Sequence, residues 1–513
     1  MFIVQQNNTK VKFTKKLSCK ILFQKAWVKQ MYLSVDLGTT GCRSIIFDSL
    51  LNLLGDSYEE YELITPKDDY VEQDANLWWE LTLKTAKKAI EKSGTDARSI
   101  KGISISSQGI TIVPVDKNLN PLYNAISWLD SRPKQQTLNI DKIFGKEKIF
   151  EICGKPLEAY YTLPKLIWFK DERKEVWDKT YKFLMPMDFL IAKLTGNCVT
   201  DHSMASGTLL YDLKKCKWSK EITEKFEIPE DMLPEILWSG KCAGNILPDV
   251  AQELGLSPDC VVSVGAQDQK CAALGVGLDD ETMTISLGTA GAVTKKWNTV
   301  DFSRGNKIGW CGYADPGVWV TEGVINTAGT CLRWLRDLMY KDEGYKVIDK
   351  EALNAINNGC NLLFYPYMNG PSSPDFYADA QGMFYGINLA TSRGDFAAAV
   401  MEGVAFQIRI ILEAMNAYGN VNKIVLFGGG AKGKLWCQII ADITGLEIMI
   451  PSTFEAAGAG AAILAARALD ENIKPLKYVQ TFKPSDKTDM YNEKYSRYRR
   501  IEKMLWDNKG ENL

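Results

Sequence analysis

The sequence predicts an α/β protein built as two similar halves around a cleft. Two observations lead there. Residues 34–41, Ser-Val-Asp-Leu-Gly-Thr-Thr-Gly, return as residues 284–291, Thr-Ile-Ser-Leu-Gly-Thr-Ala-Gly, and after each copy strand-like and helix-like segments alternate on a similar plan. Each copy closes a β-branched run (Tyr32 to Val35; Thr282 to Ile285) with Leu-Gly-Thr, a small residue and a glycine before apolar residues resume. That is the pattern of two strands around a tight glycine turn. Such a turn leaves backbone N–H groups uncovered, so two facing copies can hold a polyphosphate between them. The copies differ at Asp36 against Ser286. A carboxylate beside a triphosphate is a partner for Mg²⁺, directly or through water, because Mg²⁺ keeps several waters and takes one or two carboxylates.

The remaining elements follow in order. Asp74, in Val71-Glu72-Gln73-Asp74, is placed to cap a helix from about Ala75 to Lys92. Alternating Ile103-Ser104-Ile105-Ser106 reads as a strand ending at Gln108, and Val113 to Val115 with Ala125 to Trp128 as a hairpin around Asp116 to Asn120. Helices are expected near 164–169 and 188–194, then a short strand at 261–264 and a turn into a helix at 266–274. The second half repeats the plan: a hairpin at 282–294, helices near 327–338 and 395–417, a strand at 423–427 and a helix at 434–444. The run Ala456 to Ala462 opens another helix, whose small residues read as close packing.

Composition removes several function classes. The formal net charge is −2, yet residues 1–30 carry seven lysines and no acid, leaving the remainder at −9. A body that acidic is a poor general binder of nucleic acid. No stretch approaches the 18 apolar residues of a membrane span. The twelve cysteines contain no C-x-x-C, so neither a zinc ribbon nor a redox pair is indicated, and reduced thiols in a cytoplasmic protein are expected. His202 is the only histidine, read as a loop or helix-start residue, so catalysis falls to carboxylates, lysines or metals. The lysine-rich start is expected to be a disordered extension, with Met31 opening the fold.

Two further places carry chemistry. The strand Ile424 to Phe427 runs into Gly428-Gly429-Gly430-Ala431-Lys432-Gly433-Lys434. As a Walker loop this fails, since Leu435 stands where Ser or Thr would meet magnesium; as a Rossmann fingerprint it fails, since Glu447 starts the following strand rather than ending it. What remains is a glycine turn open enough for a nucleotide to lie against backbone. Asp268 follows a strand and precedes a helix of small residues, where an aspartate serves either as an N-cap or as a carboxylate delivered into a cleft. In transfer from a nucleotide to an alcohol, such a carboxylate takes the acceptor's proton.

In order and spacing, Asp36 to Gly41, Gln267-Asp268-Gln269, Ser286 to Thr289 and Gly428 to Ala431 resemble the FGGY carbohydrate kinases. Tyr160 to Phe169, with Pro164, Lys165 and Trp168, resembles a signature of that family, and Trp128-Leu129-Asp130-Ser131-Arg132, Val71 to Asp74 and Met401 to Val404 agree with it. The resemblance implies two ribonuclease-H-like domains of the actin, hexokinase and heat-shock-chaperone type with an interdomain active-site cleft. It divides the chain into a sugar-binding domain at 31–270, an ATP-binding domain at 271–500 and a polar tail at 501–513. It implies ATP and Mg²⁺, with Asp268 as catalytic base and Gln108, Trp128, Asp130 and Gln269 lining the sugar site. Thr39, Thr40, Gly288 and Thr289 would face the phosphates, Gly429, Gly430 and Ala431 the adenosine, and Asp36 the metal.

Within the family the pattern is most like the xylulokinases, which implies a small-molecule ketose or polyol as partner, D-xylulose first, with a homodimer open as the assembly. Departures keep glycerol, erythritol, gluconate and autoinducer-2 in play: Gln108-Gly109-Ile110 carries neither the Arg-Glu of glycerol kinases nor the Met-His of xylulokinases. Gly370 to Pro374 lacks a usual Glu-Arg, and Lys432-Gly433 replaces a common Arg-Ser. The rival class is a non-catalytic nucleotide-binding module of the same superfold.

Overall fold

The two glycine hairpins sit at the centres of two sheets. The computed structural model describes residues 30–506 apart from 303–307, 342, 371, 376, 378 and 416–420, so the lysine-rich segment 1–29 lies outside the described residues. Strand Met31–Leu37 pairs antiparallel with Gly41–Asp48, opposing Asp36 to Arg43; Thr282–Leu287 pairs with Gly291–Trp297, opposing Ser286 to Ala292. Each first strand then lies parallel to a later one, Ile100–Ser107 in the first sheet and Lys423–Phe427 in the second. Beyond these, Leu53–Glu60 extends the first sheet on the hairpin side and Val261–Ser263 and Cys242–Asn245 on the other. In the second, Trp319–Ile325 and Gly309–Gly312 lie on the hairpin side and Glu447–Pro451 and Tyr478–Phe482 opposite. The two sheets thus share a common centre, an antiparallel hairpin whose first strand lies parallel to a later strand, as the internal echo implies, and differ in the number and order of strands towards their edges.

Period-two alternation sends each face of the first strand to a different core. Leu33, Val35 and Leu37 join a core with Trp78 of helix Ala75–Ser93, while Tyr32, with Ile45 and Phe47 of the partner strand, faces a core shared with the second half. Asp74 caps that helix, its side chain accepting the Asn76 N–H, and Gly94 ends it at φ 64°. On the opposite face lies helix Ala456–Arg467, which belongs in sequence to the second half; its Gly458 carbonyl accepts the Ser34 hydroxyl at 2.7 Å. Helix Asp268–Val276 crosses it so closely that a Cβ on Gly460 would lie 1.8 Å from the Cys271 carbonyl oxygen, and one on Gly275 would lie 2.1 Å from that of Ala456. The small residues therefore serve packing, and the crossing ties both sheets together.

Two expectations need correction. Val113–Val115 does not form a hairpin ladder with Ala125–Ile126: it pairs with Lys182–Leu184, while Ala125–Ile126 pairs with Tyr70–Gln73. Only the isolated bridges Ile112 to Ile126 and Val115 to Pro121 survive of the local pairing, because each strand finds a longer-range partner. The polar tail expected from 501 is in part helix: Thr488–Trp506 continues through that point with Ile501 and Glu502 buried against the second core. Residues 507–513 lie outside the described residues.

Candidate active site

Each hairpin turn is closed by one backbone bond, Gly38 N–H to the Gly41 carbonyl at 2.9 Å and Gly288 N–H to that of Ala290 at 3.0 Å. Thr39 is half-buried, whereas Thr40 and Thr289 are exposed at the turn tips. The second turn is also bound to the start of helix Gly329–Met339: Gly329 N–H donates to the Gly288 carbonyl at 2.8 Å, and Ala328 and Thr330 N–H donate to that of Thr289. Arg333, on that helix, reaches Thr289 Oγ1 at 3.1 Å and brings a guanidinium beside the turn. The sequence reading missed it; the signal was one exposed cation in the first turn or so of a helix that follows a glycine turn. At Gly288 a Cβ would meet only the Ala290 oxygen at 3.6 Å. Gly288→Val should therefore leave the melting temperature near wild type yet raise KM for ATP about tenfold, the worth of one hydrogen bond to a charged group. Equal rises in both KM values would mean distortion of the whole site.

The third glycine turn divides its expected roles. Gly428 adopts φ 89°, and a Cβ on Gly430 would strike the Leu287 side chain at 2.5 Å. Gly429 is exposed with open space around it. Ala431, expected beside the adenosine, is buried in the second core, so its side chain packs inward.

Asp36, one residue before the end of the first strand, is half-buried, its Oδ1 accepting the Ser106 hydroxyl at 2.8 Å. Burial pushes its carboxyl up to about 6, against that hydrogen bond, with Glu455 adding to the rise and Arg43 opposing it. Asp268 opens helix Asp268–Val276, and the cap position is held by Gln267, whose side chain accepts the Gln269 N–H. Asp268 is thus not the N-cap. Its Oδ1 takes the Gln269 N–H at 2.6 Å and a contact from Gln267 Nε2, while Oδ2 has no partner among the described residues. Burial pushes the Asp268 carboxyl up to about 7, with the Asp36 and Glu322 charges adding and Lys270 opposing. Buried Lys270 pairs with the partly buried Glu322 at 2.6 Å and so joins the Asp268 helix to the second sheet.

On the sugar side the expected residues separate. Trp128 is 39% exposed, and its indole Nε1–H donates to Thr39 Oγ1 at 2.8 Å. Gln269 is half-buried, with no side-chain partner among the described residues. Gln108 is 3% exposed, with Nε2 donating to Gln73 Oε1 and the Gly38 carbonyl and Oε1 accepting from Thr111. Asp130 has no exposed surface: its oxygens accept the Val71 N–H and the buried Arg132 guanidinium, which also bonds Glu72. Asp130 thus fixes the loop instead of lining the cleft, because Arg132, stacked 3.8 Å over Tyr70, draws it inward. Lys165 is fully buried and donates to the Ile110 and Ser127 carbonyls, so the signature lysine ties together the two turns that carry Gln108 and Trp128. Burial pushes its ammonium down to about 7.

His202, as expected, starts a short helix; it stacks on Trp238 at 3.6 Å and bonds the Tyr211 hydroxyl at 2.6 Å, and burial pushes it down to about 4. It is therefore neutral and structural. The eleven described cysteines are free, and no described helix is long and apolar enough to cross a membrane.

A nucleotide and its metal fit these residues. Among the described residues no group of three or more His, Cys, Asp or Glu side chains is placed to hold a metal ion. The donor set suits an ion that shares itself between phosphate oxygens, water and a single carboxylate, as Mg²⁺ does. Asp36, desolvated and with Oδ2 unpaired among the described residues, is the candidate for that carboxylate.

Comparison with known proteins points the same way. The description "FGGY family of carbohydrate kinases" applies to matches over both halves, its N-terminal domain over residues 31–275 and its C-terminal domain over 283–469. A xylulose kinase of Staphylococcus epidermidis is 32% identical over 486 residues, covering 93% of this chain and 97% of that protein. A solved "xyloylose kinase" from Brucella ovis superposes with a TM-score of 0.85 at 26% identity, over 93% of this chain and 99% of its own. A gluconate kinase structure from Lactobacillus acidophilus gives 0.87 at 25%, over 93% and 98%.

Proposed function

We propose that this chain, which belongs to the FGGY family of carbohydrate kinases, transfers the γ-phosphate of Mg²⁺-bound ATP to a hydroxyl of a pentulose, D-xylulose first among them. The observation that carries the mechanism is Asp268: a half-buried carboxylate with one open oxygen and a carboxyl pushed up to about 7, close enough to feel the charge of Asp36.

In this reading the sugar lies against the exposed face of Trp128 with the Gln269 amide beside it. Asp268 Oδ2 accepts the proton of the attacking hydroxyl as that oxygen bonds to phosphorus and the bond to ADP breaks. The hairpin N–H groups, the Thr39 and Thr289 hydroxyls and Arg333 hold the phosphate oxygens in line. Mg²⁺, when bound, spreads the charge that develops on the phosphates. Asp36 would hold that ion, directly or through water, and the Ser106 hydroxyl fixes its carboxylate. Exclusion of water falls to closure of the two halves.

The base must be deprotonated to act. The kcat/KM for sugar should therefore rise tenfold per pH unit up to about pH 7, where half of Asp268 is ionised, and level above it. A flat profile between pH 5.5 and 8 would remove Asp268 as the base. The substrate is tested by ADP release with pentuloses, tetritols, hexonates and glycerol. D-xylulose should give the highest kcat/KM; a preference for gluconate or glycerol would overturn that assignment within the family.

A further inference from the structure

Side chains and backbone groups of five residues close a ring of hydrogen bonds between the Trp128 turn and the first glycine hairpin. Trp128 N–H donates to Thr111 Oγ1 at 3.0 Å, and that hydroxyl donates to Gln108 Oε1 at 3.1 Å. Gln108 Nε2 donates to Gln73 Oε1 at 2.8 Å, and Gln73 Nε2 to the Thr39 carbonyl at 2.7 Å. The Trp128 indole N–H then closes the ring on Thr39 Oγ1 at 2.8 Å. Every group in it has one consistent direction of donation, so the amides of Gln73 and Gln108 have no freedom to flip. Gln73, Gln108 and Thr111 are at most 3% exposed, so breaking one link leaves a buried polar group unpaired. Trp128 is exposed and Thr39 half-buried, so only these two members of the ring reach the surface.

We propose that this ring couples occupancy of the sugar site to the phosphate-holding geometry of Thr39, with Gln73 as the positioning residue at its centre. The proposal rests on the reading that sugar lies against Trp128. Without sugar, the Trp128 ring is free on one face, and its hold on Thr39 competes with side-chain motion. A sugar packed on that face fixes the indole. Because the indole N–H occupies a lone pair of Thr39 Oγ1, the hydroxyl proton is left to donate outward, to a phosphate oxygen. The ordering needed by the second ligand is then already in place, so the two bind cooperatively, and by linkage each tightens the other by the same factor. Gln73 acts from behind: it touches neither ligand and holds the Thr39 backbone against the hairpin.

The experiment is calorimetric titration of a non-hydrolysable ATP analogue with Mg²⁺, with and without saturating D-xylulose, or whichever sugar of the panel supports ADP release. In the wild type, sugar should lower the Kd of the analogue roughly tenfold, within the usual range of coupling between sites. Gln73→Glu keeps the size and the acceptor for Gln108 but removes the donor to Thr39. Trp128→Phe keeps an aromatic face but removes the indole N–H. In both, the ratio of the two Kd values should fall to about 2 or less, while Gln73→Asp, too short to reach either partner, should do no better. A purely structural role would lower the melting temperature and leave that ratio alone. Trp128→Phe alters a partly exposed residue, so it reports even if the Gln73 variants fold poorly. A wild-type ratio near one, or a wild-type ratio retained in Trp128→Phe, overturns the ring. ADP release from the wild type without such coupling refutes the ring and spares the kinase reading; no sugar-dependent ADP release with any sugar refutes both.

Discussion

Asp268→Asn is expected to lower kcat by roughly 10²- to 10⁴-fold, the usual worth of a positioned general base. The substitution keeps the shape and the acceptor that Oδ1 offers to the Gln269 N–H, and removes the basicity of Oδ2. Affinities for ATP and sugar should change little. Stability gives a second, opposite signature. Burial raises the Asp268 carboxyl to about 7 in the folded state, so the native protein holds a proton there that the unfolded chain, with an ordinary carboxyl near 4, gives up. The stability this contributes is complete below about pH 4 and is lost as pH rises through about 7. Above pH 7 the wild type carries a desolvated charge that Asn does not, so the variant should melt at or above the wild-type temperature there. Loss of activity together with a lower melting temperature at pH 8 would instead make Asp268 a structural residue.

Gly460→Val should be strongly destabilising, because it forces a side chain into the closest helix crossing of the interior. The Cys271 carbonyl oxygen stands 1.8 Å from where the new Cβ would lie, and both atoms belong to helix backbones that cannot rotate away. Overpacking of this kind costs about 3 kcal/mol or more. In a protein with domains of this size that is a fall of roughly 6–12 °C in melting temperature. Because the crossing helix begins at Asp268, kcat should fall as well. Gly429→Ala is the comparison: a Cβ there meets nothing within 4 Å, so stability should be unchanged. A Gly460→Val protein that melts like the wild type would mean that the two helices are free to separate, and the crossing would no longer serve as the joint between the halves.

Much of this was legible in the chain because the informative residues act locally. The two Leu-Gly-Thr turns, the Asp74 cap and the helix at 434–444 each depend on neighbours within a few positions, and the sequence carries those neighbours. The doubled hairpin disclosed the duplication, and Gln267-Asp268-Gln269 disclosed the helix start that presents the Asp268 carboxylate. What the sequence could not disclose depends on partners far along the chain. Val113–Val115 took a strand 69 residues away, with Lys182 opposite Val115, Tyr181 N–H donating to its carbonyl and Leu184 opposite Val113, where a local hairpin was expected. The family resemblance put Asp130 among the residues lining the sugar site, but Arg132, held also by Glu72, turns its carboxylate inward. The Gln73–Gln108 pair was invisible for the same reason: each residue sat inside a recognisable motif, and nothing in either motif announced that they meet.

The most direct test of the account is a single-turnover measurement with radiolabelled ATP, Mg²⁺ and D-xylulose, quenched on the millisecond scale, in the wild type and in Asp268→Asn. The account predicts rapid transfer of label to the sugar in the wild type, and in the variant a transfer slowed by at least about a hundredfold with both ligands still bound. Label reaching the sugar at the wild-type rate in Asp268→Asn would contradict it.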